Sequence, residues 1–113
     1  MPATELDIRT YDVVVLGAGA VGENVADRAG RTGLSVVVVE AELVGGECSY
    51  WACMPSKALL RPGAVLATAR AVPGAAQAVT GDLDRAAVLA RRDSIAHGWD
   101  DRSQVDWLEA TGI

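Results

Sequence analysis

Cys48 and Cys53 stand with four residues between them in the run Gly45-Gly46-Glu47-Cys48-Ser49-Tyr50-Trp51-Ala52-Cys53-Met54-Pro55-Ser56-Lys57. Two thiols this close can store an electron pair as a reversible disulfide. In a regular α-helix, positions i and i+5 lie about 140° apart around the axis and ~8.7 Å apart in Cα. A disulfide requires Cα atoms within roughly 7 Å. So either the backbone between the cysteines is distorted, or regular helix begins near Cys53. Pro55 agrees with the second, since proline is tolerated in the first helical turn. Cys53 would then sit near a helix N-terminus, where the dipole favours a thiolate. Lys57, one turn on, adds positive charge.

Upstream lies a second constellation, Gly17-Ala18-Gly19-Ala20-Val21-Gly22, closed by Glu40. Gly17 permits a tight turn, Gly19 lets backbone approach a pyrophosphate, and Gly22 lets helix and strand pack closely. The phosphates would meet free amides at a helix N-terminus. Glu40, 18 residues past Gly22, can accept both hydroxyls of an adenosine ribose and would repel a 2′-phosphate. Glycine spacing alone also fits any glycine-rich turn. Here the flanking strands and the terminal acid complete the nucleotide fingerprint, although it does not separate NAD from FAD.

The cysteines admit blander roles. They could be buried apolar residues, or half of a zinc site, for which only His97 is available elsewhere and four ligands are needed. A purely structural bridge is disfavoured in a reducing compartment. No metal site is expected.

The elements that must position these groups can be read from the chain. Tyr11 to Leu16 is a valine-rich run ending in glycine, a buried parallel strand. Ala20 to Thr32 follows as a helix stopped by Gly33. Ser35 to Val39 is a second buried strand, completing a βαβ unit over 11–40. A loop after Glu40 leads to a helix from about Pro55 to Ala71, with a kink or break expected at Pro62-Gly63. Gly74 to Asp82 is a loose connection. An amphipathic helix, Leu83 to His97, shows Leu83, Ala86, Ala87, Ala90 and Ser94 or Ile95 on one face, with Asp82 as N-cap. A last short helix spans Asp101 to Ala110, with Val105, Trp107 and Leu108 as packing residues. His97 reads as a solvated residue at a helix end.

The chain has 113 residues, half of them apolar. That suits α/β architecture in one unit, a partial Rossmann-like domain with a redox segment over 45–71 and a helical tail over 82–112. The net charge of −5 argues against nucleic-acid binding, and the doublet Arg91-Arg92 reads as a solvated helix face. No apolar run is long enough to span a membrane, and the first seven residues do not resemble a signal peptide. A cytoplasmic location is the expectation. Two parallel strands cannot hide both faces and both edges of a sheet. The expectation is therefore the beginning of a longer protein, or a homodimer or strand-exchanged oligomer.

The cysteine run resembles the redox segment of the pyridine nucleotide–disulfide oxidoreductases, whose usual form is GGTCxNxGCxPSK, and it is most like that of dihydrolipoamide dehydrogenase and mercuric reductase. Asp12 to Glu40 is similar to their N-terminal FAD fingerprint, and the likeness covers most of residues 11–71. The resemblance implies that NADH or NADPH reduces FAD, which passes electrons to a Cys48–Cys53 disulfide and on to a disulfide or dithiol substrate. It implies Cys48 as interchange thiol, Cys53 as the thiol nearest the flavin, and Lys57 beside the isoalloxazine. Gly17, Gly19, Ala20, Gly22, Glu40 and Ala41 would hold the ADP half, and Gly45 and Gly46 would let backbone pass close to the cofactor. The separate NAD domain, the dimerisation domain and the family's acid–base histidine are not expected within these residues, so the chain alone is expected to be inactive.

The run departs from the family form. Glu47 stands for Thr, Tyr50 and Trp51 for Asn and a small aliphatic residue, and Ala52 for Gly. An added acid is expected to raise the pKa of the first thiol. Two large aromatic residues are expected to reshape access to the sulfurs.

Overall fold

The computed structural model describes residues 8–113, so the signal-peptide expectation for the first seven residues lies outside the described residues. Two strands, β1 (Val13–Leu16) and β2 (Val36–Val39), pair in parallel with Val13 opposite Val36 and Leu16 opposite Val39. Their entry is fixed by Asp12 and Ser35. The Asp12 carboxylate accepts from the Ser35 hydroxyl at 2.6 Å and from its amide at 2.8 Å. These two bonds lower the Asp12 pKa, the hydroxyl contributing more.

Helix α1 (Ala20–Gly30) crosses between the strands and buries Ala26 against Val15 and Val36. The helix closes at Arg31, two residues before Gly33, which takes φ +87°. Branched valines suit a pleated surface, and alanine lets α1 approach it closely. The opposite sheet face is uncovered: Leu16 is 80 % exposed, and Val14 and Val39 are also exposed.

Between the βαβ unit and the long helix, the expected loop contains a short helix, α2 (Gly46–Tyr50). Helix α3 (Cys53–Ala71) then begins at the second cysteine, with Pro55 buried in its first turn. A kink or break is expected at Pro62-Gly63; a break does not occur, since α3 runs through Pro62. Proline removes one backbone donor, but α4 (Arg85–Ile95) packs along α3, and such tertiary packing overrides local propensity.

The N-cap of α4 is Asp84, whose side chain accepts from the Ala87 amide at 3.1 Å, rather than Asp82. Asp82 is taken up by Arg70, whose guanidinium lies 2.9 Å from it. The α4 face matches the expected one only at its end: Ile95 is half-buried, whereas Ala86, Ala87 and Ala90 are exposed and Val88 and Arg92 are half-buried instead.

His97 is exposed in a short 3-10 turn, His97–Trp99, and α5 (Arg102–Ala110) follows. Of the packing residues expected on α5, Leu108 is buried and Val105 half-buried, whereas Trp107 is 42 % exposed. No described helix is long and apolar enough to cross a membrane.

Candidate functional site

The turn from β1 into α1 is shaped by two glycines at positions that disfavour a side chain. Gly17 takes φ +94°, a left-handed conformation that side chains disfavour. At Gly22, a Cβ would lie 1.8 Å from the Gly17 carbonyl oxygen. Close packing of helix and strand is therefore what Gly22 provides.

Gly19 differs. Its φ of −74° is open to any residue, and a Cβ there would meet nothing within 4 Å. The chain itself does not require glycine at this position. What a Cβ would occupy is the floor of an open cleft of about 570 Å3. Gly19 is the N-cap of α1 and offers no capping side chain, so the first amides of the helix are left for a ligand.

Glu40 sits at the mouth of the cleft, at the end of β2. Its carboxylate accepts from the amides of Ala18 (2.6 Å), Ala41 (2.8 Å) and Glu42 (3.0 Å). These bonds hold its pKa below the usual value, the Ala18 bond first. A carboxylate offers about four acceptor sites. Two bonds fall on Oε1 and one on Oε2, leaving about one site free on Oε2 for a ribose hydroxyl.

The segment carrying the cysteines is stitched to this glycine turn through its backbone. The Gly45 amide donates to the Ala18 carbonyl at 2.7 Å, forming a parallel bridge between Gly19 and Gly45. Gly46 takes φ +61°, and a Cβ there would lie 2.8 Å from Gly19 Cα. The two glycines thus answer to the chain's own close approach.

Cys48 reaches the cleft from α2, beside Glu47 and Trp51. Of the residues singled out in the sequence, Gly17, Gly19, Ala20 and Gly22 line this cleft together with Glu40, Ala41, Gly46 and Cys48. Gly45, Cys53 and Lys57 do not line it. Sequence reasoning missed Val21 and Glu42, which also line it.

Both cysteines are free thiols, Cys48 half-buried and Cys53 exposed at the start of α3. A hydrogen bond to the Cys53 side chain, then burial, then the neighbouring charge of Cys53 push the Cys48 thiol above its ordinary pKa. Lys57 and the Cys53 backbone amide pull the other way. The direction is the one expected from Glu47, but the cause is the second thiol, and Glu47 does not contribute.

The two aromatic residues part company. Trp51 is 46 % exposed on the cleft wall, whereas Tyr50 is 1 % exposed and packs inside, edge-on to Trp51 at 5.8 Å. Tyr50 therefore does not shape access to the sulfurs. Among the described residues, its hydroxyl and Glu23 Oε1 are buried without a hydrogen-bond partner. Burial first, then the carboxylates of Asp101, Glu23 and Asp100, raise the Tyr50 pKa. Burial alone raises that of Glu23.

Two contacts from the distant tail were also missed. The Trp99 indole N–H donates to the Tyr50 carbonyl at 3.1 Å, and Asp101 Oδ2 accepts from the Val44 amide at 2.8 Å. His97 and Trp99 take φ +52° and +58°, a left-handed geometry costing roughly 1–2 kcal/mol per residue. Among the described residues, no group of three or more His, Cys, Asp or Glu side chains could hold a metal ion.

A family model described as pyridine nucleotide-disulphide oxidoreductase matches residues 11–108. The chain belongs to that family. Among curated relatives of this oxidoreductase chain, the dihydrolipoyl dehydrogenase of Bacillus subtilis (strain 168) is 53 % identical over 60 residues, 53 % of this chain and 13 % of the relative. Dihydrolipoyl dehydrogenase 3 of Pseudomonas aeruginosa is 43 % identical over 89 residues, 76 % of this chain and 19 % of the relative. The mercuric reductase of Staphylococcus aureus is 31 % identical over 104 residues, 91 % of this chain and 19 % of the relative. The chain thus spans less than a fifth of the length of these relatives, and it folds as a partial Rossmann-like unit of the oxidoreductase family.

Proposed function

We propose that this chain forms the FAD-binding, dithiol-bearing N-terminal portion of a disulfide oxidoreductase similar to dihydrolipoyl dehydrogenase. The observation that carries this is the shared cleft: Cys48 lines the same space as Gly17, Gly19 and Glu40. The glycine that nothing in the chain demands, Gly19, fits a cofactor whose pyrophosphate needs that room.

Gly17, Gly19, Ala20 and Gly22 would hold the pyrophosphate against the N-terminus of α1. Glu40, through its remaining Oε2 site, and Ala41 would hold the adenosine ribose. Gly45 and Gly46 would keep the redox segment close to the cofactor, with Cys53 and Lys57 on the flavin side. FAD, when bound, supplies two-electron transfer between NAD(P)H and a disulfide.

The cysteines carry the exchange with substrate. Cys48, as thiolate, attacks one sulfur of a substrate disulfide and releases the other as a thiolate. Cys53 then attacks the Cys48 sulfur, releasing the second substrate thiolate and leaving a Cys48–Cys53 disulfide. Two electrons pass from the cysteines to the substrate, and the two thiol protons go to solvent or to the released thiolates. Lys57 favours the thiolate form of Cys48. Turnover belongs to an assembly longer than these 113 residues, because the relatives are more than five times as long as the matched stretch. Taken alone, the chain acts as a nucleotide-binding and dithiol module.

Equilibrium dialysis tests the cradle. FAD is expected to be retained and displaced by ADP, with riboflavin retained far less. Equal retention of riboflavin and FAD would remove the pyrophosphate role. Mass spectrometry after mild oxidation is expected to find one intrachain disulfide.

A further inference from the structure

Residues 97–101 touch the redox segment at two points far away in sequence. Trp99 binds the Tyr50 carbonyl and Asp101 binds the Val44 amide. Val44 lies just before α2 and Tyr50 ends it, so one short segment grips both ends of the helix that carries Cys48. Tyr50 also lies between the two thiols in sequence. Its carbonyl is among the C-terminal groups that a short helix cannot satisfy internally.

The gripping segment is built against local preference. His97, Gly98 and Trp99 are three consecutive left-handed residues, φ +52°, +62° and +58°, and only glycine adopts this freely. Such strain persists where surrounding contacts over-determine it. Here the Arg92 guanidinium lies 5.4 Å from the centre of the Trp99 ring system, and the indole N–H is bound to the Tyr50 carbonyl.

We propose that Trp99 and Asp101 are positioning residues for the Cys48–Cys53 pair, clasping α2 so that its thiol is held within reach of the second. This rests on the dithiol role given above. In exchange with oxidised glutathione, one cysteine thiolate attacks a glutathione sulfur and releases one glutathione thiolate. The second cysteine then attacks the mixed disulfide and releases the other, so two electrons move from the cysteines to glutathione. That second step is intramolecular, and its yield depends on how the two sulfurs are held.

The test equilibrates the full chain in glutathione redox buffers and reads the intrachain disulfide by mass. Trp99→Phe keeps the ring against Arg92 but cannot donate, and the disulfide equilibrium constant is expected to fall about fivefold, the size of one hydrogen bond. Asp101→Ala is expected to act in the same direction, and Asp101→Asn, which keeps an acceptor for Val44, to restore the wild-type value. Circular dichroism and melting confirm folding in each variant. If Trp99→Phe fails to fold, the Asp101 pair carries the same comparison. An unchanged constant in folded Trp99→Phe and Asp101→Ala overturns the clasp. If the wild type forms no disulfide, the dithiol role fails, and the clasp is read instead from the relative alkylation rates of Cys48 and Cys53. A shift in those rates, rescued by Asp101→Asn, supports it, and constant rates overturn it.

Discussion

The amide of Ala18 donates to Glu40 Oε2 at 2.6 Å, so the acid that closes the nucleotide fingerprint also fastens the glycine turn. The structural duty and the ligand-binding duty proposed for Glu40 would compete for one carboxylate. The sign of the pH effect follows. The folded-state pKa of Glu40 is depressed, so its stabilisation is present above its unfolded value and is lost as pH falls through the folded value. Glu40→Gln is expected to lower neutral-pH stability by roughly 1 kcal/mol, since an amide cannot accept at both positions in this half-hydrated setting. It is also expected to flatten the acid limb of the melting profile. An acid limb identical to wild type would show that the carboxylate does not hold the turn.

Gly22→Ala and Gly19→Ala are expected to separate two kinds of glycine. The first places a Cβ 1.8 Å from a backbone oxygen and is expected to cost about 3 kcal/mol or more. The second meets open space at a permissive φ and is expected to leave the melting temperature unchanged or slightly raised. It nonetheless is expected to weaken FAD and ADP binding about tenfold or more, because the methyl group enters the space claimed for pyrophosphate. Melting curves and nucleotide titrations on the same two variants give the answer.

The thiol at Cys48 is expected to alkylate only at higher pH than an ordinary cysteine, because the second thiol and burial hold its proton. Cys53→Ala is expected to move the rate–pH midpoint down. Lys57→Met is expected to move it up, since Lys57 favours the thiolate. Glu47→Gln is expected to leave it unchanged. A downward move in Glu47→Gln would restore the acid as the cause.

Tyr50→Phe removes a buried hydroxyl with no partner and is expected to stabilise the fold by about 1 kcal/mol. Tyr50→Asn, the residue usual in the family, is expected to destabilise by about 3 kcal/mol here, because it empties a fully packed site. Denaturant melts of the two variants should move in opposite directions.

What could be read from the chain was local. Valine runs and glycine spacing fix β1, α1 and β2 because each depends on neighbours a few residues away. Pro55 and the cysteine spacing likewise placed the start of α3. Helix α2 escaped because it has five residues and opens on two left-handed glycines, which read as loop. Helix α3 passes Pro62 without a break because α4 packs along it, and such packing is invisible in local propensity. Tyr50 was placed beside the sulfurs rather than inside because one residue's spacing cannot say which way a short helix turns. The grip of Trp99 and Asp101 spans 49 and 57 residues, and no periodicity encodes a contact at that separation.

The stitch between Gly45 and Ala18, with Gly46 pressed on Gly19, is made of main chain and missing side chains. Where the redox segment lies is therefore indifferent to most of the letters written on it. Exchanges at Glu47, Ser49 and Trp51 are expected to leave the scaffold beneath them in place, which makes this stretch a natural place to vary the surroundings of the cysteines by directed evolution. Libraries that spare Gly45 and Gly46 should keep a far larger folded fraction than libraries that do not.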